Sequence, residues 1–405
     1  MKINNKEILV ADLYAGAGGF GLGFQLASKK YKLAFSLEID EWAVESLKAN
    51  NKDNQIIICD DIRKYKTAKK ILDICPVKPD IIIGGPPCQG FSQAGPSKDP
   101  KDPRNSLFKD FARWIGVFQP TFFIMENVRG LLNKKNQDGK KVVDIIQNTF
   151  KKLGYEVNIW ELNAANYGVP QNRQRVFFVG SLLRNTIPEP PISHYLPYEK
   201  GKFNGELKYL LPAIKVKEAI GDLTNLKAGE GDEKVLYSKA PKTKYQILMR
   251  KGAKFLFNHK SMFHRDRIIK RYEHILNGNN ISEVSEELKV RKRNGNGSLS
   301  HTEYKSNYRH LHPDKVSFTI PASFYSNFIH PFEPRNITAR EAARLQSFPD
   351  NYIFKGKRTQ ISSKLLKKLG KEDENHLSQY NQIGNAVPPL LAKAIEKHLL
   401  KYLET

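Results

Sequence analysis

The feature that most constrains the fold of this chain is the alternation of short apolar runs with helical patterns over its first 180 residues. The runs are rich in β-branched and aromatic residues, and the segments between them have the spacing of amphipathic helices. Such alternation is typical of βα units around a mostly parallel sheet. Residues 81–83 and 122–124 are apolar throughout, as expected for strands covered on both faces. We therefore predict an α/β fold with a doubly wound, mostly parallel sheet.

The pattern predicts where the individual elements lie. The predicted strands are residues 8–13, 32–38, 55–59, 80–84, 122–126, 155–162 and 175–179, and the predicted helices are 20–28, 41–49, 106–118 and 142–153. After a Pro-rich crossing the chain is irregular and basic to about residue 334. Helical order returns at Thr338, where Thr338 and Glu341 have the spacing of a capping box. A last helix is predicted from about residue 389 to 403.

The cysteine content and the hydropathy pattern exclude several classes of protein. Three cysteines (Cys59, Cys75 and Cys88) are a poor disulfide framework, and the absence of a Cys-x-x-Cys pair argues against a structural metal site. No apolar run approaches the ~20 residues needed to span a bilayer. The N-terminal residues lack the apolar segment of a signal peptide, so we expect a cytoplasmic protein.

The charge of the chain points to its partners. The formal net charge is +24 over 405 residues. A balance this basic favours a polyanion as partner, either nucleic acid or an anionic membrane surface. The alternative is that the many lysines reflect a biased genome alone. The segment 241–310 is the most basic part of the chain and interleaves aromatic residues with Lys and Arg, which favours nucleic acid.

A glycine-rich turn follows the first predicted strand and opens a helix. Gly16, Gly18 and Gly19 allow a tight turn and a close approach of the backbone to a ligand at the helix N-terminus. Glu38 ends the second strand and Asp61 follows the third, at the places where carboxylates bind the ribose of a nucleotide. The spacing is not Gly-x-Gly-x-x-Gly, so the pattern indicates an adenosine-containing cofactor and disfavours a dinucleotide.

Three further motifs lie at predicted strand ends. Cys88 stands in a Pro- and Gly-rich loop after the fourth strand, where a thiolate can act as a nucleophile. The alternative of a buried structural cysteine suits Cys59 and Cys75 better. Glu126 follows the next strand and can donate a proton to a ring nitrogen if its pKa is raised. Arg173 and Arg175 alternate before the last strand, and they can hold a carbonyl oxygen or the substrate backbone. Taken singly, the Glu126 motif and this arginine motif are each as compatible with a structural role as with a functional one.

Together these motifs resemble the cytosine-5 DNA methyltransferase family. The blocks that carry the resemblance are residues 14–19 (YAGAGG), 85–92 (GPPCQGFS), 126–128 (ENV), 171–175 (QNRQR), 335–349 (RNITAREAARLQSFP) and 382–389 (QIGNAVPP). The resemblance covers about 8–180 and 335–403, which is nearly two-thirds of the chain. The sequence departs from the family at Tyr14, where Phe is usual, and at Ile39, where some members place Trp over the adenine.

The resemblance implies a role for each matching residue. Cys88 would add to C6 of cytosine, Glu126 would hold or protonate N3, Arg175 would contact O2, and Arg173 would support the same site. The residues implied to surround S-adenosylmethionine are Tyr14, Gly16, Gly18, Gly19, Glu38, Asp61, Ile62, Pro87, Leu107, Asn385 and Val387. The target atom is buried in a duplex, so the base must be flipped out of the stack. The candidate DNA-binding residues are Gln89, Ser92, Arg104, Lys254, Arg291 and Arg293.

The resemblance also implies a domain organisation and partners. We expect a catalytic and cofactor-binding domain over 1–185, a smaller irregular target-recognition domain over 186–334, and C-terminal helices over 335–405, of which the last returns to the catalytic domain. The expected partner is double-stranded DNA. A cognate restriction endonuclease acting on the same site is a second expected partner, and we expect a prokaryotic, cytoplasmic monomer with no membrane contact and no metal.

Three other functions are compatible with parts of the pattern. One branch of the family methylates cytosine in tRNA, although the long basic segment favours duplex DNA. A catalytically silent DNA-binding relative is disfavoured because Cys88, Glu126 and Arg175 are all present. A nicotinamide-linked oxidoreductase is disfavoured by the glycine spacing and the basic charge.

Overall fold

The computed structural model describes residues 7–51, 54–87, 107–136, 138–183, 186–196, 210–278, 283–291, 298–299, 308–322, 324 and 328–404. The chain divides into two compact units. The first comprises Met1–Ala213 and Ala386–Thr405, and the second comprises Ile214–Asn385. The two units meet at 213/214 and 385/386, whereas the sequence-based domain boundaries are 185/186 and 334/335. The functional assignment of each unit stays a prediction.

The first unit is built on a seven-stranded sheet with the order β3-β2-β1-β4-β5-β7-β6. Its strands are β1 (Ile8–Leu13), β2 (Tyr31–Glu38), β3 (Ile56–Cys59), β4 (Ile81–Gly84), β5 (Phe122–Val128), β6 (Glu156–Asn163) and β7 (Gln174–Ser181). The first five strands are parallel to one another, and β7 runs antiparallel to both β5 and β6. The predicted α/β fold with a mostly parallel sheet is confirmed, and each predicted strand is found with its ends shifted by at most two residues.

Helices cover both faces of this sheet. They are α1 (Gly19–Ala27), α2 (Glu41–Asn50), α3 (Ala68–Ile74), α4 (Leu107–Phe118), α5 (Val142–Lys152) and, from the end of the chain, α12 (Pro389–Glu404). Alternate residues of β1 belong to two separate cores. Ala11 and Leu13 pack with α4 and α5, whereas Ile8 and Val10 pack with α1 and α12. This two-residue period explains why the strands are apolar throughout.

The second unit is smaller and contains short elements. They are α6 (Val216–Ile220), β8 (Gly231–Val235), α7 (Lys244–Arg250), β9 (Leu256–Lys260), α8 (Asp266–Leu276), β10 (Arg309–His310), β11 (Phe328–Ile329), α9 (Ala339–Leu345), α10 (Ser363–Leu369) and α11 (Gln379–Asn385). The predicted capping box is present at the start of α9, where Thr338 and Glu341 exchange hydrogen bonds. Helices α6 to α8 and strands β8 to β11 lie before residue 334, so the basic middle segment has more regular structure than its composition suggests.

Buried arginines organise the second unit. Arg335, Arg340 and Arg344 are each at most 1% exposed. Arg344 binds Asp350 and Asp222 through side-chain hydrogen bonds of 2.5 to 3.2 Å. Each guanidinium can remain charged in the interior because carboxylates or backbone carbonyls accept from it. Among the described residues, no helix is long and apolar enough to cross a membrane.

Candidate active site

The sequence motifs meet at one edge of the sheet because of the strand register. Leu13 of β1 pairs with Gly84 of β4, and Gly84 pairs with Met125 of β5. The segments that follow these strands therefore leave the sheet side by side, at the carboxyl edge where ligands bind in open α/β sheets. Strands β2 and β3 lie on one side of β1, and β4 and β5 lie on its other side. The strand order therefore reverses between β1 and β4, which makes the carboxyl ends of these two strands the switch point of the fold.

The reversed direction of β7 brings two arginines to the same edge. Val128 at the end of β5 pairs with Arg175 near the start of β7. Arg175 Nε lies 2.8 Å from Glu126 Oε1, and each side chain is 14% exposed. Arg173 is 1% exposed and precedes the strand. The antiparallel strand thus places cations beside a carboxyl that a parallel strand contributes.

Burial controls the protonation of this ion pair. Burial raises the pKa of Glu126, while the positive charges of Arg175 and Arg173 act in the opposite direction. Burial and the neighbouring Arg175 lower the pKa of the Arg173 guanidinium. A carboxyl whose protonated form is favoured by burial, yet which remains next to two cations, can exchange a proton with a bound ring nitrogen.

The loop after β4 contacts Glu126 and Asn127 of β5. Asn127 Nδ2 donates a hydrogen bond of 3.2 Å to the carbonyl oxygen of Pro86, and Asn127 is 4% exposed. A Cβ added at Gly85 would lie 3.1 Å from Glu126 Oε2. The absence of a side chain at Gly85 therefore lets this carboxyl approach the loop that leads to Cys88.

The glycine-rich turn after β1 presents its backbone at the neighbouring strand end. Tyr14, Gly16 and Gly18 have φ of 59°, 54° and 74°. Glu38 Oε2 accepts from Gly16 N at 2.8 Å, and Oε1 accepts from two further backbone amides, those of Ile39 and Asp40, at 2.9 Å each. Burial raises the pKa of Glu38, and these amides oppose the shift. The carboxyl thereby holds the turn in its left-handed conformation.

The surroundings of Glu38 suit an adenosine group. The side chain of Ile39 is 58% exposed, which leaves an apolar surface next to the acid. Among the residues that the structure describes, nothing lies within 4 Å of a Cβ added at Gly16, which leaves room for a ligand beside the turn. An exposed aliphatic side chain, an acid and open backbone at the ends of adjacent strands match the needs of an adenine ring and a ribose.

Four further predicted cofactor residues lie in the segment after β3 or at the contact between Tyr14 and Leu107. Asp61 caps a 3₁₀ helix, Ile62–Lys64, and its carboxylate binds Arg63, while Ile62 is 4% exposed. The hydroxyl of Tyr14 donates to the carbonyl oxygen of Leu107 at 2.8 Å.

The last four predicted cofactor residues are found in different parts of the chain. Pro87 is the last residue described before Cys88, and Gly19 begins α1. Val387 packs in the core of the first unit, whereas Asn385 ends α11 in the second unit.

Several predicted residues fall outside the described part of the chain. These are Cys88, Gln89, Ser92, Arg104 and Arg293. Lys254 is exposed in the second unit, and Arg291 is exposed and forms a β-bridge with Leu299.

The structure corrects one expectation about the cysteines. Cys75 is buried, as the sequence suggested, but Cys59 is exposed, because it ends β3 at the open edge of the sheet. Asn127, which links the loop after β4 to the end of β5, was not among the predicted site residues. The sequence signal for it was its position between Glu126 and Val128 in one of the family motifs. Within the described residues, no cluster of three or more His, Cys, Asp or Glu side chains is suited to a metal ion.

Comparisons with known proteins agree on one family. The sequence profile of the C-5 cytosine-specific DNA methylases matches residues 8–401. The type II methyltransferase M.DdeI of Desulfomicrobium norvegicum is 45% identical over 98% of this chain and 89% of its own length. The type II methyltransferase M1.HphI of Haemophilus parahaemolyticus is 33% identical over 96% of this chain and 86% of its own length.

Solved structures show the same fold. A prophage-encoded DNA modification methyltransferase from E. coli superposes with a TM-score of 0.69 at 24% identity, covering 98% of this chain and 100% of that chain. The S. pombe Dnmt2 methyltransferase has a TM-score of 0.53 at 15% identity, with 98% of each chain covered. At these identities the likeness shows the fold alone. The family profile and the two sequence relatives, by contrast, span nearly the whole chain, which therefore belongs to the C-5 cytosine-specific DNA methylase family.

Proposed function

We propose that this enzyme transfers a methyl group from S-adenosylmethionine to C5 of a flipped-out cytosine in duplex DNA, with Cys88 as the covalent nucleophile. The observation that carries the proposal is the Glu126–Arg175 pair beside the loop that Cys88 directly follows in sequence. Cytosine offers a ring nitrogen, N3, next to a carbonyl oxygen, O2. A protonated carboxyl next to a guanidinium is complementary to that edge.

The need for a thiolate follows from the chemistry of the ring, because C5 of cytosine is a poor nucleophile. Bond formation between the Cys88 sulfur and C6 moves an electron pair of the ring toward N3. Glu126 donates a proton to N3, and Arg175 donates a hydrogen bond to O2, so the charge is neutralised as it develops. The positive charge of Arg173 favours the carboxylate form of Glu126 and repels the guanidinium of Arg175.

The residues at the ends of β1 and β2 suit the methyl donor. Gly16, Gly18 and Glu38 would hold the adenosine portion, with Ile39 against the ring and Tyr14 beside it. When bound, S-adenosylmethionine supplies an electrophilic methyl group on a sulfonium sulfur. After methylation, a base removes the proton from C5, the C5–C6 double bond re-forms, the C6–S bond to Cys88 breaks, and the proton on N3 returns to Glu126. The thiolate is then regenerated.

The second unit is proposed to recognise the DNA. Lys254 and Arg291 are exposed there, and the segment 241–276 carries many further Lys and Arg side chains. Such cations contact phosphates and release counterions on binding. The affinity for a duplex should therefore fall steeply with salt, and a flat plot of log K against log salt would contradict phosphate contacts.

The biological role is proposed from the relatives. M.DdeI and M1.HphI carry the names of type II methyltransferases. By analogy this chain, acting as a cytoplasmic monomer, would protect host DNA from a restriction endonuclease that cuts the same sequence.

Methyl transfer to defined substrates tests the proposal. Purified enzyme is incubated with labelled methyl donor and either genomic DNA or bulk tRNA, and the modified cytosines in DNA are mapped by bisulfite sequencing. We expect methylation of one short DNA sequence, loss of activity in Cys88→Ala, and retained activity in Cys59→Ala, which removes the exposed thiol of the same sheet. Methylation of tRNA alone, or full activity of Cys88→Ala, would overturn the proposal.

A further inference from the structure

A fully buried acid lies on the last helix of the first unit. Glu396 of α12 is 0% exposed. Within the part of the chain that the structure describes, no group donates a hydrogen bond to either of its carboxylate oxygens. A carboxylate in this position would be an isolated buried charge, which costs several kcal/mol. Its neutral, protonated form avoids most of that cost.

Glu396 lies where α12 contacts α1. A Cβ added at Gly23 of α1 would lie 2.2 Å from the Cβ of Ala392 and 2.8 Å from the amide nitrogen of Lys393. The two helices are therefore in direct backbone contact one turn before Glu396. The hydroxyl of Tyr31 donates to the backbone oxygen of Glu396 at 3.1 Å, which fixes this turn of α12 against β2.

A second buried acid connects this interface to the glycine-rich turn. Asp12 is 2% exposed and lies on β1, two residues before Tyr14. It accepts a hydrogen bond from the backbone of Gly21 in the first turn of α1, and a Cβ at Gly21 would lie 3.1 Å from Asp12 Oδ2. Asp12 thus joins the two ends of the turn that runs from Tyr14 to Gly18.

A negative charge on Asp12 opposes the ionisation of Glu396, and few cations compensate it. Burial, together with repulsion from Asp12, raises the pKa of Glu396 well above its ordinary value. Burial raises the pKa of Asp12 to about 8, opposed by the Gly21 amide and reinforced by Glu38. α1 carries no ionisable side chain. The other titratable groups on β2, on the 3₁₀ helix Ala164–Tyr167 and on α12 are Tyr31, Lys32, Glu38, Tyr167, Lys393, Lys397, His398, Lys401, Tyr402 and Glu404. Glu404 pairs with Lys30.

We propose that Glu396 is a positioning residue for the cofactor turn, that it acts in its protonated form, and that ionisation of the Asp12–Glu396 pair separates α12 from α1 and weakens cofactor binding. The link to the cofactor rests on the proposed function. The burial of Asp12 and Glu396 does not depend on the proposed function, because it is a property of the folded first unit. No cation on α1 can replace the lost proton, so alkaline pH leaves two like charges in an apolar interface.

The sign of the pH dependence follows from proton linkage. In the unfolded chain both carboxyls ionise above about pH 4, whereas in the folded protein they retain their protons to much higher pH. Their contribution to stability is therefore fully present in acid and declines as pH rises toward the folded pKa of Asp12, about 8. If the protein with both acids ionised does not bind the cofactor, the dissociation constant should rise about tenfold per pH unit above the higher of the two folded pKa values.

Two measurements on the full chain test the inference with Glu396→Gln, which keeps the shape and cannot ionise. The first is calorimetric titration with S-adenosylhomocysteine from pH 6.5 to 9.5, and the second is the thermal midpoint from pH 5 to 9. The matched control is Lys397→Gln, an exposed neighbour on the same helix. The ligand titrates identically with every variant, so differences between variants belong to the protein.

We expect Glu396→Gln, in which only Asp12 can ionise, to bind like the wild type at pH 7, to lack the alkaline weakening of the wild type, and to show a flatter midpoint curve. Lys397→Gln should follow the wild type. Equal pH profiles for Glu396→Gln and wild type would overturn the inference, as would a loss of affinity in Glu396→Gln at every pH. If no variant binds the ligand, the cofactor proposal fails instead, and the midpoint curves alone decide whether Glu396 holds a proton.

Discussion

Arg175 Nε lies 2.8 Å from Glu126 Oε1, across the antiparallel boundary between β7 and β5. The two residues are 49 positions apart in sequence. Their meeting depends on a single reversal of strand direction in an otherwise parallel series. Because of that reversal, a cation from the start of one strand meets an acid from the end of another.

Replacing Glu126 by Gln should remove proton donation while keeping the shape of the side chain. We expect kcat for methyl transfer to fall about 10²–10⁴-fold, the range for loss of a general acid. Binding of S-adenosylhomocysteine should be unchanged, because Glu126 is not among the residues predicted to surround the cofactor. Steady-state kinetics and calorimetry measure the two effects. Equal kcat in Glu126→Gln and wild type would exclude the carboxyl as proton donor.

Replacing Asn127 by Ala should release the loop before Cys88. The substitution leaves the carbonyl of Pro86 without its 3.2 Å donor, and such a loss costs about 1–3 kcal/mol. We expect a lower kcat with little change in KM for the methyl donor, and circular dichroism should show an intact fold. Asn127→Asp, which cannot donate from the same atom, should behave similarly, whereas a wild-type kcat in both variants would contradict the role.

Replacing Tyr14 by Phe tests the hydroxyl at a position where Phe is usual in the family. Its hydrogen bond to Leu107 O joins the cofactor turn to the start of α4. Loss of one such bond costs about 1 kcal/mol, so the dissociation constant for S-adenosylhomocysteine should rise about fivefold. The ring of Phe still packs, so kcat at saturation should hold. An unchanged dissociation constant would show that the hydroxyl has no part in shaping the turn.

Replacing Arg344 by Met should destabilise the second unit. Arg344 neutralises two buried acids, Asp222 and Asp350, and removal of one partner from a buried ion pair typically costs about 3–5 kcal/mol. Urea unfolding followed by fluorescence should show an earlier midpoint. The exposed Lys251 offers a control, because Lys251→Met should change the midpoint little. Equal midpoints for both variants would show that the ion pairs are dispensable.

The sequence predicted the parts of this fold that depend on local pattern. The seven strands of the large sheet, the helices α1, α2, α4, α5 and α12, and the capping box at Thr338 were predicted, since each arises from neighbouring residues. Helix α3 was missed because its seven residues are too few to show a helical period clearly, although Thr67 caps its start. The elements of the basic segment were missed because Lys and Arg dilute their apolar positions.

Contacts between distant residues could not be read from the sequence. The bond from Asn127 to Pro86 depends on the register of β4 against β5, and the pairing of Arg344 with Asp222 joins residues 122 positions apart. Nor does any local pattern mark Glu396 as buried, since an acid in an amphipathic helix normally faces solvent. These contacts exist only after the chain has folded, which is why motifs located the candidate site but not its supporting bonds.

The most direct test of the account is covalent trapping of the nucleophile. Duplex DNA in which every cytosine is replaced by 5-fluorocytosine covers all recognition sequences, and fluorine at C5 cannot leave as a proton does. With S-adenosylmethionine present, the enzyme should form a denaturant-resistant complex with this DNA, and mass spectrometry should place the link on Cys88. Absence of any complex from enzyme that methylates ordinary DNA, or a link at Cys59 or Cys75, would contradict the proposed chemistry.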